Sequence, residues 1–482
     1  MMVEDKNDHL RAEDPMASTE PRLRPLEILE TTVHNWKGIL QALNHPRLVH
    51  FLLRTVGHKL MFERETERNK KKRYGFMSIG GGMIPREELV AYRHGLEVSI
   101  QSLEEVIDAA RQGKPVISHF INNNSELVRA MGVPAFYLSA FTKIANYLGT
   151  DCSAFLISEA ERYQAPEDLC GLNKMALGAY LTGQIPAIFA LMSSEEPCDS
   201  VRSFNQMFEY LTEKPAYNVN TPYDRTPEAI ARYVGSAFEL IAFLEEKLGR
   251  KMDWDRLKQY GDEINKFNAC CNEISLMHRS VPSPNLFLSM GFAFAVRQLA
   301  PGSPGATKLV EALYEIGKQR ISVADPARKK NERIRVIMWD LPVAFAEMTK
   351  WMEKQYGAVI VADYLTSTMN PPFDTSTRES LVRGLYADKL YTGMVRQSHG
   401  TAALIGDELT RYLEEYSAHC VIVSGHMACK HNKAANRIVQ DICRHHDIPL
   451  LMLELDVWDS RHNPEREIKK QLGQFLERIH LG

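Results

Sequence analysis

The feature that most restricts the fold is a recurring unit: a short unbroken apolar run, then a polar turn, then a stretch with helical spacing. PVISHF (115–120), PAFYL (134–138), IPAIFALM (185–192) and PAYNVN (215–220) form a first set. IRVIMW (334–339), AVIVADY (358–364), CVIVSG (420–425) and PLLMLELD (449–456) form a second. Runs that do not alternate with polar residues are buried on both faces, as parallel strands between helices are. Residues 226–330 separate the two sets, and EAIARYVGSAFELIAFLEEKLG places apolar residues at three- and four-residue steps, the helical period. The expected fold is α/β, with two doubly wound parallel-sheet lobes joined by a helical segment and preceded by a helical N-terminal extension. The expected boundaries are a charged, disordered tail over 1–26, the helical extension over 27–100, the first lobe over 101–225, the helical segment over 226–332 and the second lobe over 333–482.

The two sets also resemble each other. Residues 185–224 and 418–459 each run through a strand, a short polar loop, a cysteine, a helix, a proline-led strand and an aspartate. Such self-similarity is what an internal duplication leaves, although α/β units also converge on it.

Several function classes are disfavoured. Lys plus Arg is 58 against 61 Asp plus Glu, a net charge of −3, so no broad basic field exists for nucleic acid. The longest apolar stretch, Leu286 to Val296, is too short to span a bilayer, and the charged N-terminus has no apolar core of the secretory kind. These features point to a cytoplasmic chain. Gly80-Gly81-Gly82 lacks the following Gly-Lys-Ser/Thr of a phosphate loop. The basic run Arg68–Arg73 reads as a solvated helix end.

Eight cysteines stand at 152, 170, 198, 270, 271, 420, 429 and 443. A chain of 482 residues buries enough core without disulfide staples, so free or metal-binding thiols are expected. In open parallel sheets, ligands bind beyond the carboxyl ends of the strands, where helix N-termini point inward. Cys198 and Cys429 fall at that loop-to-helix junction, and Cys170 follows Pro166-Glu167-Asp168, another helix-start pattern. Helix N-termini favour thiolates, so three thiolates are expected to converge on the cleft between the lobes. The other five cysteines fit core packing. Zinc is a competing reading, because His426, Cys429 and His431 cluster, but their spacing matches no usual zinc motif.

At the three junction cysteines the chain resembles the catalytic-component subunits (D-components) of the superfamily of 2-hydroxyacyl-CoA dehydratases and benzoyl-CoA reductases. The resembling segments are DLCGLNKMALGAYL (168–181), PCDSVRSFNQMFEYL (197–211), IRVIMWDLP (334–342), GAVIVADYLT (357–366), MACKHNKAANRIVQDIC (427–443) and IPLLMLELDVWDSRHNPEREIKKQLGQFLE (448–477). The resemblance implies an oxygen-sensitive [4Fe-4S] cluster held by Cys170, Cys198 and Cys429, with one iron left open to substrate. It implies an acyl-CoA thioester as substrate and a lyase reaction of anaerobic metabolism: one-electron reduction to a ketyl radical, then loss of water. Reduction of an aromatic acyl-CoA ring, or a non-catalytic partner role, are the alternatives it leaves open. It also implies a homologous second subunit and a separate ATP-hydrolysing iron–sulfur activator. By correspondence with the family, Glu126 is the acid/base candidate, and Ser118 and Asn124 line the same pocket. A carboxylate favoured by the dipole of a helix start is the plainer reading of Glu126. The chain departs from the family pattern in its first 100 residues, at Met427-Ala428 before Cys429, and where Trp339-Asp340-Leu341-Pro342 replaces a glycine-bearing loop.

Overall fold

The computed structural model describes residues 84–138, 153–323, 330–340, 346–462 and 465–481, together with Glu30, Val33, His34, Lys37 and Gln41. The expected tail over 1–26 and Cys152 lie outside them.

All eight apolar runs are strands: β1 (Ile117–His119), β2 (Ala135–Tyr137), β3 (Ala190–Ser194), β4 (Ala216–Val219), β5 (Ile334–Met338), β6 (Ala358–Asp363), β7 (Cys420–Val423) and β8 (Leu450–Met452). They build two four-stranded sheets, ordered β2-β1-β3-β4 and β6-β5-β7-β8, with every pairing parallel. The register sets Ile117 opposite both Ala135 and Ala190, and Val336 opposite both Ile360 and Cys420. The two sheets therefore share one order. In each, the first and third strands are neighbours and the chain winds outward in both directions from them, which opens a crevice at their carboxyl ends.

Both faces of each sheet are covered by helices, which is why the strands read as unbroken apolar runs. Over one face of the first sheet lie α3 (Ser153–Arg162), α4 (Gly171–Leu181) and α5 (Asp199–Thr212), through Leu156, Met175, Phe204 and Phe208. These follow α1 (Leu89–Arg111) and the short α2 (Ser125–Ala130). The other face is covered by α6 (Pro227–Leu248), through Tyr233, Ala237, Leu240 and Leu244. The α6 boundaries follow from its sequence: the Thr226 hydroxyl accepts from Ala229 N, Pro227 opens the first turn, and Gly249 closes it at φ +60°. Next come α7 (Trp254–Met277), α8 (Phe287–Leu299) and α9 (Pro304–Ser322), which with α1 form a helical core around Val98, Phe267, Cys271, Ile274, Val296 and Leu313.

The second sheet is flanked by α10 (Ala346–Tyr356), α13 (Ala402–Glu415), α14 (Lys430–His445) and α15 (Glu465–Leu481), with α11 (Arg378–Lys389) and the single turn α12 (Val395–Ser398) preceding α13. Helix α11 does not stay with its own sequence neighbours. Leu381, Val382, Leu385 and Tyr386 enter the core formed by Leu127, Val128 and Tyr233, beside the first sheet. This crossing ties the two halves and carries a second-half residue, Lys389, to the first-half site.

Candidate functional site

Each of the three junction cysteines is the residue immediately before a helix: Cys170 before α4, Cys198 before α5 and Cys429 before α14. None uses its side chain to cap its own helix, so all three sulfurs remain available. Cys170 N donates to Ser200 Oγ at 3.0 Å, and Asn173 Nδ2 donates to the same oxygen at 3.0 Å, which locks the start of α4 to the start of α5. From the other sheet, Lys430 Nζ lies 2.9 Å from Asp168 Oδ2 and 3.9 Å from Asp199 Oδ2. His426 Nε2 lies 3.5 Å from Cys170 Sγ. Residues adjoining all three cysteines thus meet in one cleft.

The electrostatics of the thiols differ from the expectation drawn from helix N-termini. Burial raises all three thiols, Cys198 to about 11, and Cys170 and Cys429 well above the ordinary thiol range. After burial, the Cys198 and Asp456 charges push Cys170 further up, and Asp340, Cys198 and Cys170 do the same to Cys429. The first-turn amides pull the other way, but each is a single oriented dipole set against removal of the whole sulfur from water. Desolvation wins. The influence of Cys198 on both Cys170 and Cys429 agrees with their convergence on one cleft.

A buried polar frame surrounds them on the second-lobe side. His426 N donates to Asp340 Oδ2 at 3.1 Å, and Asn432 donates to Asp340 Oδ1. Asp340 adopts φ +129°, the region that favours glycine, at the loop where the sequence departs from a glycine-bearing pattern. The His426 ring is buried, with Nδ1 3.4 Å from Asp456 Oδ1. Asp456 Oδ1 also accepts from Trp458 N at 2.8 Å and Asp459 N at 3.1 Å. Gly425 sits at φ +67°, and a Cβ there would lie 1.6 Å from Leu453 O, so the turn into His426 admits only glycine.

On the first-lobe side, the loop after β1 brings Asn124 and Glu126 together: Asn124 Nδ2 donates to Glu126 Oε1 at 2.6 Å and to Leu385 O of α11 at 3.3 Å. Glu126 is 1% exposed, and its Oε2 has no hydrogen-bond partner. Ser118 is not part of this group. It lies mid-strand in β1 and lines a separate space with Phe120, Phe204, Asn205 and Phe208 beneath α5.

Several buried ionisable residues here escaped the sequence reading. Glu196, two residues before Cys198, is buried and raised to about 7 by burial; Thr221 Oγ1 donates to its Oε2. An acidic residue in a strand-end loop beside a cysteine was a legible signal for it. Lys389 is also buried, and nothing local marks it, because its surroundings come from the first half of the chain. Of the other cysteines, Cys271, Cys420 and Cys443 are buried in cores, while Cys270 is half-buried on α7.

The zinc reading gains no support from the geometry. His431 lies in the first turn of α14 near Asp199, at 4.0 Å, whereas His426 is tied to Asp340 and Asp456. Among the described residues no group of three or more His, Cys, Asp or Glu side chains, the three junction cysteines included, forms a site for a single metal ion. An iron–sulfur cluster is a larger body held almost wholly by thiolates, and the donor set suits it: three half-buried cysteines at three helix starts that border one cleft.

Two like-ordered parallel sheets, with helix-starting cysteines from both facing one cleft, define a two-lobed α/β protein. The family model for the 2-hydroxyglutaryl-CoA dehydratase D-component matches residues 121–479, and the chain belongs to that family. No curated protein matches the chain. Membership gives it the role of a dehydratase-type subunit that works with a partner component. No described helix is long and apolar enough to cross a membrane.

Proposed function

We propose that this chain is the iron–sulfur subunit of a 2-hydroxyacyl-CoA dehydratase, with Cys170, Cys198 and Cys429 as the ligands of a cluster. The observation that carries the reading is the meeting of these three cysteines in one cleft, in a chain of the D-component family. Such a cluster, when bound, supplies a low-potential electron and an iron with an open position, the chemistry needed to turn a thioester carbonyl into a ketyl that expels the neighbouring hydroxyl.

The protein's own groups do the rest. Ser200 fixes the start of α4 against α5, so Cys170 and Cys198 keep their separation. His426, its backbone amide held by Asp340 and its Nδ1 facing Asp456, keeps its Nε2 3.5 Å from Cys170 Sγ, in polar contact with a ligating sulfur. Glu126 is the group that takes or gives the substrate proton. Its Oε1 is steadied by Asn124, while Oε2 is buried without a partner, and a carboxylate oxygen excluded from water is a strong acceptor. Burial of Asn124, Glu126 and His426 limits the water that can reach a radical at this end of the cleft.

The test is anaerobic purification followed by iron and sulfide analysis, then assay with a reducing activator on 2-hydroxyacyl-CoA and aromatic acyl-CoA thioesters. About four irons per chain and an enoyl-CoA product from the hydroxyacyl substrates are expected. Zinc in place of iron overturns the cluster assignment, and a ring-reduced product from the aromatic substrates replaces dehydration with ring reduction.

A further inference from the structure

We propose that Lys389 is a positioning residue for Glu126: an ammonium delivered from the second half of the chain that grips the Asn123–Glu126 loop and supplies the charge against which Glu126 works. The proposal rests on the reading of Glu126 as the acid/base group. It goes beyond that reading by naming what holds and polarises it.

The grip is direct. Lys389, the last residue of α11, donates from Nζ to Asn123 O at 3.2 Å. One turn earlier on the same helix, Leu385 O accepts from Asn124 Nδ2, and that amide also donates to Glu126 Oε1. Two successive turns of α11 therefore hold two successive residues of the β1 loop. Lys389 is 4% exposed and Glu126 1%, so no solvent screens the field between them.

The neighbouring carboxylates are otherwise engaged. Asp388 Oδ1 accepts from Asn268 at 2.7 Å and from Asn370 at 2.6 Å, and its Oδ2 pairs with Arg297. Glu196 is bonded by Thr221. Glu126 Oε2 is the carboxylate oxygen of this group left without a bond, and among the described residues Lys389 closes no ion pair with any of them. An ammonium and a carboxylate that act on each other without touching keep both free to engage a third group.

The charged and titratable groups acting on Lys389 are Glu126, Asp388 and Glu196, which favour its ammonium, and Arg297, which opposes it; His119 of β1 also feels the Lys389 charge. Burial pulls Lys389 below the ordinary lysine range, and Glu126 is the foremost opposing influence.

The sign of the linkage gives a test that needs no turnover. With Lys389 lowered in the folded state, the unfolded chain binds more protons between the folded and the ordinary lysine values, so stability falls as pH falls below the usual lysine value of roughly 10.4. Removing the Glu126 charge lowers Lys389 further. The full-length Glu126→Gln protein is therefore expected to lose thermal midpoint relative to the unmodified protein, by an amount that grows as pH falls from 10. In a Lys389→Met background the same Glu126 substitution should cost the same at every pH. A pH-independent Glu126→Gln deficit overturns the proposal, as does growth that persists without Lys389. If Lys389→Met does not fold, the Glu126→Gln series decides alone. In the assay, Lys389→Met should keep its iron yet lose at least about 100-fold in kcat, and Lys389→Arg should recover most of it. Full activity with an unchanged pH profile in Lys389→Met would reduce the lysine to packing. If the unmodified protein itself shows no turnover, the dehydratase reading fails while the unfolding series still reports on Lys389.

Discussion

Lys430 Nζ stands 2.9 Å from Asp168 Oδ2, so the residue after Cys429 touches the second residue before Cys170. Both side chains are more than half exposed, so the pair marks the convergence of the two lobes and contributes little to it. A chain of partly buried contacts adds to it. Arg461 joins Asp459 at 2.6 Å to Glu161 at 3.2 Å, and Glu161 takes Lys174 of α4 at 2.8 Å. The loop after β8 is thereby pinned to the helix that Cys170 opens.

Separate replacement of Cys170, Cys198 and Cys429 by Ala should each abolish stable iron binding, because two thiolates cannot hold the cluster that three can. Cys271→Ala should keep its iron and cost only about 1–2 kcal/mol, the loss of one small buried group from the helical core. Iron per chain after anaerobic purification checks all four. Retention of iron by Cys198→Ala would refute the ligand set.

Glu126→Gln preserves the shape of the side chain and the Asn124 contact but removes the proton acceptor. Turnover should fall by about 100- to 10,000-fold with iron content unchanged. An equal fall in iron would mean that Glu126 supports the fold of the site and not its chemistry.

Gly425→Ala should be severe. The backbone at φ +67° is strained for alanine, and the new Cβ would overlap Leu453 O, so a loss of about 3 kcal/mol or more is expected. Since the turn feeds directly into His426 and Cys429, iron retention should fall together with the unfolding midpoint. An alanine variant with both intact would show that the loop relaxes freely.

Acid should weaken the fold through His278. Its ring is buried, accepts from Leu286 N at 3.1 Å as a neutral base, and is lowered to about 4 chiefly by burial. A histidine lowered on folding contributes stability that is complete above its ordinary value and lost as pH falls through the folded one. The window is pH 6.5 to 4, and the loss is up to about 3 kcal/mol. His278→Gln keeps an acceptor without the titration, so its unfolding midpoint should fall less steeply across that window. Parallel curves would assign the acid sensitivity to another group, of which the similarly lowered His119 is the first to examine.

Much of this was legible in the sequence. The unbroken apolar runs became all eight strands, since a strand buried on both faces has no polar side to interrupt it. Cys198 and Cys429 were legible as helix starts because a polar loop after a strand leaves few other places for them. Burial was not legible. The helix position of the thiols suggested easy ionisation, but desolvation, a property of everything packed around them, reverses it. Ser118 looked like a pocket residue beside Glu126, yet strand pleating turns it toward α5. Lys389 and the packing of α11 beside the first sheet depend on contacts between distant halves of the chain, which no local pattern encodes.

The shared strand order has a consequence for how such a centre can arise. A repeated frame offers the same attachment points twice: after the third strand of each sheet stand Cys198 and Cys429, and at the start of the helix leading into that strand stand Cys170 in one half and Thr401 in the other. The two halves match at the first pair of points and differ at the second. The matched strand order thus pairs Cys198 with Cys429, while the position of Cys170 is held in the second half by Thr401, a hydroxyl in place of a sulfur.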